Sequence, residues 1–176
     1  IDSIISQPQE SVFSDISGHW AEDIIIEMSD AGIIAGFVDG TFKPDDKVTR
    51  AQFCKMIVTA LGLSYTGGSG SYDDVPAGAW YEIYVETATE YGIVMGDNGS
   101  FNPDSYITRQ DAAVMLYRGI RSVDRNVFGS KTFNDSGDIA EYAVDEISRL
   151  GGAGIINGMD DGTFRPLNNA TRAESA

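Results

Sequence analysis

The sequence predicts an all-α fold made of three helix–loop–helix repeats. The first observation is a Thr-Arg phrase that occurs three times, each time with its arginine six residues after a proline. The second is that apolar residues follow the first two copies at helical spacing. The third is a set of motifs that precede the phrase in the same order in every copy. The three copies of the phrase are Val48–Gln52, Ile107–Asp111 and Ala170–Glu174.

The phrase itself is typical of a helix start. A threonine followed three residues later by Gln, Asp or Glu can form a capping box, so the arginine between them becomes the first helical residue. A cation is disfavoured there by about a few tenths of a kcal/mol, because the helix N-terminus is positive. One explanation is that Arg50, Arg109 and Arg172 hold an anion beside unpaired backbone N–H groups. The other is that each pairs with a local carboxylate or lies over the preceding turn, and the residues alone leave both open.

The repeats define the organisation of the chain. The phrase arginines lie 59 and 63 residues apart, so length varies mainly between units. The third unit reaches Ala176 within one turn of its phrase, and we expect its second helix to be cut or disordered there. The predicted segments are a lead-in without a clear period (1–12), repeat one (13–63), a flexible Gly/Ser linker (64–71), repeat two (72–121), a second linker (122–132) and repeat three (133–176).

Each repeat is expected to begin with an amphipathic helix that stops at a glycine, namely Gly32, Gly92 or Gly154. The connecting loop then carries a Gly-x-Phe-x-Pro turn, whose phenylalanine we expect to pack onto the core. The apolar stripes predicted for the first helices are Trp20, Ile24, Met28 and Ala31 in repeat one, Trp80, Tyr84, Ala88 and Tyr91 in repeat two, and Ala143, Ile147 and Leu150 in repeat three.

Composition excludes several classes of function. The formal net charge of −15 does not favour attraction to nucleic acid or to anionic lipid, and no apolar run approaches the roughly 18 residues of a membrane span. The Asp-Gly loops lack the alternating ligands of a helix–loop–helix calcium site. No nucleophile–base set or phosphate-binding glycine loop is present. We therefore predict no catalytic residues, no cofactor, no metal, and no nucleic-acid or membrane partner.

The order of motifs resembles a known family. Repeat one carries Phe13-Ser-Asp15, Trp20-Ala21, a Gly32-Ile-Ile-Ala-Gly36 stretch, Asp39-Gly-Thr-Phe-Lys-Pro44 and Thr49-Arg-Ala-Gln52. This set, repeated three times in register over residues 13–176, resembles the S-layer homology (SLH) module, which usually occurs as three tandem copies. The resemblance implies a pseudo-threefold assembly of the three repeats around a central helical bundle.

The resemblance also implies a function. Grooves between neighbouring units of this family bind secondary cell-wall polysaccharide attached to peptidoglycan, commonly carrying ketal-linked pyruvate. The modules thereby anchor surface proteins to the bacterial wall or S-layer without catalysis, so the expected location is extracellular.

The binding residues follow from the same resemblance. The phrase arginines, Arg50, Arg109 and Arg172, are expected to contact the acidic sugar, and the family's tryptophan position is occupied by Trp20, Trp80 and Tyr142. From the residues alone, an aromatic side chain suits the apolar face of a sugar, and Gly36, Gly96 and Gly158 would let backbone N–H groups approach an anion. Core packing of the aromatics and a conformational role for the glycines are the alternatives. The family's phrase usually ends in glutamate, where this sequence has Gln52 in repeat one and Asp111 in repeat two. The resemblance therefore implies unequal grooves, and because repeat three is also incomplete, Arg172 ranks last among the three arginines.

Two other functions remain open. The chain could be a self-assembly module of a surface lattice, with the arginines as interface pairs and self-association through the incomplete third repeat. It could also be the carbohydrate-handling appendage of a secreted carbohydrate-active enzyme. Under the binding hypothesis, replacing Arg50 or Arg109 with Ala should change stability by less than about 0.5 kcal/mol, as for an exposed first-turn side chain.

Overall fold

The computed structural model describes residues 13–65 and 67–176, and the lead-in predicted at 1–12 lies outside these residues. The described part is helical, with isolated backbone bridges and no β-strand, which confirms the all-α prediction. Two short 3₁₀ turns, Ser136–Asp138 and Glu141–Ala143, precede the fifth helix. The helices are α1 (Glu22–Asp30), α2 (Arg50–Ala60), α3 (Glu82–Glu90), α4 (Arg109–Ser122), α5 (Val144–Gly152) and α6 (Arg172–Ser175).

The second helix of every repeat begins as the capping pattern predicts. Thr49 accepts a hydrogen bond from the backbone N–H of Gln52 at 3.3 Å, and the Gln52 side chain accepts the N–H of Thr49 in return. Thr171 and Glu174 form the same reciprocal pair at α6. At α4 the threonine accepts from the N–H of Asp111. The phrase arginine is the first residue of each helix.

The first helices end where the glycines predict. Gly32, Gly92 and Gly154 follow the last helical turn with φ of 71°, 68° and 73°. This left-handed conformation lets the chain leave the helix at once and is strained for a residue with a Cβ atom. The short apolar loop of each repeat follows directly.

The predicted apolar stripe of α1 is correct at Met28, which packs on the core of repeat one, but is wrong by one position at Trp20 and Ile24. Ala21 and Ile25 are buried at 1% and 0% exposure, whereas Trp20 is 72% exposed and Ile24 faces solvent in part. Residues 24–26 are all isoleucine, so periodicity alone cannot fix which face is buried. In repeat three the predicted stripe of Ala143, Ile147 and Leu150 is fully buried. Ala21 and Ile25 occupy the positions in repeat one that are equivalent to Ala143 and Ile147.

The predicted stripe of α3 is largely correct. Ala88 is buried and Tyr84 and Tyr91 pack against the same core, which also contains Val85. Trp80 lies outside it at 54% exposure. In the loops, Phe42, Phe101 and Phe164 are buried, which confirms their predicted packing on the core.

Backbone hydrogen bonds join the three phrases in a closed ring. The N–H of Val48 donates to the carbonyl of Ala170 at 3.1 Å, the N–H of Ile107 to Val48 at 3.0 Å, and the N–H of Ala170 to Ile107 at 3.0 Å. All three side chains are buried. Each repeat is therefore bonded to both of the others at the point where its second helix begins.

Helices also pack across repeat boundaries. Helix α2 packs against α3 of the next repeat, α4 packs against α5, and α2 and α4 contact each other. The apolar cluster of repeat one contains Phe13, Ile25 and Phe42 together with Ala173 of α6. The core of one repeat is thus completed by residues of its neighbours.

Candidate functional site

The phrase arginines lie at the contacts between repeats, and each reaches the loop of the next repeat around the ring. The Nε of Arg50 donates to the carbonyl of Phe101 at 2.9 Å. The Nε of Arg109 donates to Phe164 at 2.8 Å, and that of Arg172 to Phe42 at 2.7 Å. Each guanidinium also lies 4.3–5.1 Å from the centre of the same phenylalanine ring. We call these contacts the first junction (Arg172 on the loop of repeat one), the second junction (Arg50 on repeat two) and the third junction (Arg109 on repeat three).

An aspartate fixes the loop that each arginine reaches. The carboxylate of Asp15 accepts the consecutive backbone N–H groups of Phe42 and Lys43, both at 2.7 Å. Asp74 and Asp135 hold the equivalent turns of their repeats in the same way. Lys43 has φ of 56°, a left-handed conformation that the second of these bonds stabilises. The phenylalanine carbonyl is thereby aimed at the arginine.

The same bonds affect the titration of Asp15. Burial raises the pKa of this carboxyl, but its bonds with backbone N–H groups, chiefly those of Phe42 and Lys43, outweigh burial, so the pKa lies below its usual range. Asp15, Asp74 and Asp135 thus each bind the turn that a junction arginine reaches.

The backbone N–H groups at the helix starts are not free to bind an anion, contrary to the sequence-based suggestion. The N–H of Arg50 donates to Ser105 and the N–H of Ala51 to Pro103. The first two N–H groups of α4 and of α6 bind the carbonyls of the neighbouring repeat in the same manner. The third N–H binds the capping threonine. Any anion at a junction must therefore be held mainly by side chains.

At the second junction the arginine is paired within the chain. Arg50 lies 3.8 Å from the carboxylate of Asp111, the third residue of α4. The same carboxylate accepts the hydroxyl of Tyr142 at 2.6 Å, and the Gln110 amide donates to that hydroxyl. Burial, followed by the bond to Asp111, raises the pKa of Tyr142 to about 12. The predicted residues Arg50 and Tyr142 are thus linked through one acidic residue.

At the third junction the pairing is tighter. An outer guanidinium nitrogen of Arg109 lies 2.6 Å from a carboxylate oxygen of Glu174, the third residue of α6. Burial lowers the pKa of Arg109, and the charge of Glu174 opposes that shift. The Arg109 side chain is only 13% exposed. This geometry is that of a charge-assisted hydrogen bond between two repeats.

The first junction differs from both. None of the ion pairs formed within 13–65 and 67–176 involves Arg172. Its outer nitrogen donates to the carbonyl of Ala35 at 2.9 Å. The equivalent third helical residue here is Gln52, which is neutral. Burial lowers the pKa of Arg172, and the more distant carboxylates of Asp46 and Asp15 oppose that shift.

A cavity of about 240 Å³ opens at the first junction. Arg172, Trp80 and Gly36 line it, so an arginine, an aromatic residue and a glycine predicted from sequence come together here from three different repeats. Gln52 and Lys55 of α2 complete its polar wall. The apolar part of the wall comes from Ile33, Ile34, Phe42 and Met56.

The predicted aromatic residues are surface residues. Trp20, Trp80 and Tyr142 are 72%, 54% and 52% exposed, so the core-packing alternative does not describe them. The ring of Trp20 lies against His19, and that of Trp80 meets Tyr81 edge-on. Large exposed aromatic faces of this kind can stack on the apolar face of a sugar ring.

The predicted glycines have a packing role. A Cβ atom on Gly36 would lie 2.2 Å from the ring of Phe13, and one on Gly96 would lie 2.3 Å from the ring of Tyr72. Gly158 meets Phe133 in the same way. These glycines therefore leave room for the opening aromatic residue of each repeat, and Gly36 also lines the cavity of the first junction.

Comparison with known proteins decides the family. The sequence profile of the S-layer homology domain matches residues 12–54, 71–113 and 132–176. The chain belongs to the S-layer homology domain family. The three SLH matches cover most of the chain and include all three phrase arginines.

Similar proteins share this SLH region with much longer chains. The chain is 34% identical over 170 residues to an amylopullulanase of Thermoanaerobacterium thermosulfurigenes, covering 95% of this chain and 9% of that protein. It is 29% identical to a cellulosome-anchoring protein of Acetivibrio thermocellus, covering 82% of this chain and 34% of the other. It is also 29% identical to an S-layer protein of Bacillus licheniformis, covering 93% and 19%. The matched SLH region is thus between 9% and 34% of the length of these relatives.

Sequence reasoning missed the contacts that distinguish the SLH junctions. The sequence identifies Gln52, Asp111 and Glu174 as capping residues whose differences make the grooves unequal, but it does not show that Asp111 and Glu174 each lie beside an arginine of another repeat. Lys55, which lines the first junction, was not singled out. The sequence does contain a signal of this difference, because the third residue of the second helix is neutral in repeat one (Gln52) and acidic in repeats two and three (Asp111 and Glu174). Its meaning required knowing that the third helical residue of one repeat faces the arginine of another.

Two further features bear on the class of function. Within the described residues, no group of three or more His, Cys, Asp or Glu side chains is arranged to hold a metal ion. No helix in that part of the SLH chain has the length and apolar character needed to span a bilayer. The lone cysteine, Cys54, is buried in α2, where burial raises the pKa of its thiol to about 12.

Proposed function

We propose that this chain is a non-catalytic cell-wall anchoring module, which binds an acidic, pyruvylated secondary cell-wall polysaccharide at the junctions between its repeats. The observation that carries the proposal is the cavity of the first junction, which has a volume of about 240 Å³ and is lined by both Arg172 and Trp80. A carboxylate on a sugar suits an arginine, because the guanidinium presents its N–H donors in a planar fork. The sugar ring itself suits the exposed indole.

The architecture under this proposal is a pseudo-threefold assembly of the repeats around a central helical bundle. The closed ring of hydrogen bonds among Val48, Ile107 and Ala170 supports it, as do the packed pairs α2–α3 and α4–α5. The segment boundaries at 13–63, 72–121 and 133–176 are part of the same proposal.

The relatives support an anchoring role outside the cell. One is named a cellulosome-anchoring protein and another an S-layer protein. Others are named for enzymes, but the chain covers only 9–18% of the first three of these, which leaves most of each enzyme outside the match. We therefore propose an extracellular location in the bacterial wall or S-layer, with the wall polymer attached to peptidoglycan as partner.

A wall-binding assay tests the proposal. The purified chain should sediment with bacterial cell walls that carry pyruvylated polysaccharide, and should remain soluble with walls from which the polymer or its pyruvate has been removed. Titration with a pyruvylated aminosugar and with its non-pyruvylated twin should give binding only for the first. Equal binding to intact and stripped walls would contradict the proposal. The Arg125→Ala variant changes an exposed arginine outside the junctions and should bind like the parent chain.

Lattice formation is the second candidate. It predicts concentration-dependent assembly without any wall polymer, which light scattering would detect. The junction arginines favour it less than the sequence suggested, because Arg50 and Arg109 already pair with acidic residues of their own chain.

A further inference from the structure

We propose that the outer side of the hydrogen-bonded ring binds a second sugar unit of the polysaccharide, with Tyr106 as the stacking surface and Lys47 as the charged contact. This inference rests on the proposed function, because it concerns the unit next to the one held at a junction. Neither residue belongs to the Thr-Arg phrase or to the aromatic and glycine positions singled out from sequence.

The ring has a buried side and a solvent side. The three residues whose backbones form the ring bonds have buried side chains. Around them the segments pair through isolated antiparallel bridges. Successive side chains of a paired, extended segment point to opposite sides, so the residue before each ring residue faces solvent. These solvent-side residues are Lys47, which is exposed, Tyr106, which is 54% exposed, and Asn169, which is partly exposed.

Two of these side chains, from different repeats, lie together. The ammonium of Lys47 is 5.6 Å from the centre of the Tyr106 ring, within the range of about 6 Å for a cation–π contact. None of the ion pairs formed within 13–65 and 67–176 involves Lys47. The carboxylate of Asp45, two residues away, lies 3.5 Å from His19. A cation without a carboxylate partner thus stands beside a largely exposed aromatic ring.

The pair lies between the first and second junctions. The backbone N–H of Arg172 donates at 2.8 Å to the residue before Lys47. The backbone N–H of Arg50 donates at 2.9 Å to the residue before Tyr106. Both helices that supply the arginines of these junctions therefore begin directly beside the pair. A polymer held at one of the two junctions can extend across the pair toward the other.

The chemistry of the pair suits a sugar in such a polymer. An aromatic ring packs against the apolar face of a sugar, and an ammonium donates hydrogen bonds to hydroxyl or acidic groups at its edge. The three repeats differ at this position, with Lys47, Tyr106 and Asn169. A cation therefore meets an aromatic ring only between repeats one and two, which gives one such surface per chain.

The experiment is calorimetric titration of the whole chain with two probes, a pyruvylated aminosugar and a trisaccharide that ends in the same unit. For the parent chain we expect the trisaccharide to bind about tenfold more tightly. Tyr106→Ala should reduce this ratio to about two or less, whereas Tyr106→Phe, which keeps the ring, should retain it. Lys47→Gln should lower the ratio in part. Phe128→Ala removes an exposed aromatic residue of the second linker and should leave the ratio unchanged.

The ratio separates this inference from a structural role and from the proposed function. A contact that only joins two repeats would alter thermal unfolding, which is measured for each variant, but not the preference for the longer sugar. If the parent chain binds both probes equally, or if Tyr106→Ala keeps the full ratio, the inference is overturned while the anchoring function stands. If the parent chain binds neither probe at millimolar concentration, the proposed function fails and this inference fails with it.

Discussion

Each junction arginine contacts the neighbouring repeat twice, first through its Nε and second through an outer guanidinium nitrogen. Its Nε donates to a phenylalanine carbonyl of the next repeat. An outer nitrogen lies beside a carboxylate in Arg50 and Arg109 and donates to the carbonyl of Ala35 in Arg172. The first contact explains why a cation stands at a helix start, where the dipole disfavours it. The position aims the side chain at another repeat, and the resulting bonds offset the small dipole penalty.

This contact changes the expected cost of losing an arginine. Arg109→Ala would leave the carbonyl of Phe164 and the carboxylate of Glu174 without their partner. We expect a loss of about 1.5–3 kcal/mol in the free energy of unfolding, measured by urea denaturation, rather than the change below about 0.5 kcal/mol that the sequence suggested. Arg125→Ala, at an exposed site outside the junctions, provides the matched control. Equal stability of the two variants would contradict the structural role.

The turn-binding aspartates predict a pH dependence. The folded-state pKa of Asp15 is lowered, so its contribution to stability is present above the unfolded-state pKa and is lost as the pH falls through the folded-state pKa. We expect the difference in stability between the parent chain and Asp15→Asn to be largest at neutral pH and to shrink below about pH 4. Denaturation at several pH values measures this difference. A difference that grows on acidification would contradict the assignment.

At the scale of the element, the loop of each repeat is built around one close approach. The opening aromatic residue of the repeat packs against a loop glycine, as Phe13 does against Gly36, and against the buried loop phenylalanine, Phe42. The loop therefore has little space for an added methyl group.

Gly36→Ala tests this packing. The added Cβ would lie 2.2 Å from the Phe13 ring and 2.6 Å from the carbonyl oxygen of Thr41, so one of them must move. We expect a loss of about 1–3 kcal/mol, as for other overpacked sites, in thermal or urea unfolding. Gly137→Ala is the control, because its added Cβ meets nothing within 4 Å. A stability change no larger than that of the control would show that the loop can adjust.

Sequence reasoning worked well for elements with local causes. The helix starts at Thr49, Thr108 and Thr171 and the glycine stops depend on hydrogen bonds and φ values within a few residues, and both were predicted. The buried face of α1 was not, because three consecutive isoleucines satisfy more than one stripe. There the neighbouring elements, including Ala173 of α6, determine which side is covered.

At the scale of the whole molecule, the repeats share their cores. Ala173 is 3% exposed and belongs to the cluster of Phe13 and Ile25, at the other end of the sequence. A substitution that destabilises the third repeat should therefore also destabilise the first.

Ala173→Asp tests this coupling. A buried carboxylate with no partner should cost about 3 kcal/mol or more. We expect amide hydrogen exchange to accelerate in α1, which lies about 150 residues earlier in the chain. Ala77→Asp, at an exposed loop position, serves as the control. Faster exchange confined to α6 would mean that the repeats unfold independently.

The sequence did not predict which residues of different repeats come into contact. The sequence predicted that the three arginine positions are unequal, but it did not predict the pairings: Arg50 lies beside Asp111 and Arg109 beside Glu174, whereas Arg172 forms no ion pair among the described residues. Those pairings join residues more than 60 positions apart in the chain, as between Arg109 and Glu174. No local propensity or spacing encodes which helix faces which arginine.

The closed ring of backbone hydrogen bonds among the three phrases limits how such a protein can grow. In an open solenoid, each unit touches only its neighbours, and further copies can be appended between two capping ends. Here the last unit donates to the second and receives from the first, so each end of the array caps the other. A duplicated fourth copy would find no unpaired partner in the ring. Longer versions of this architecture would have to add whole sets of three rather than single units.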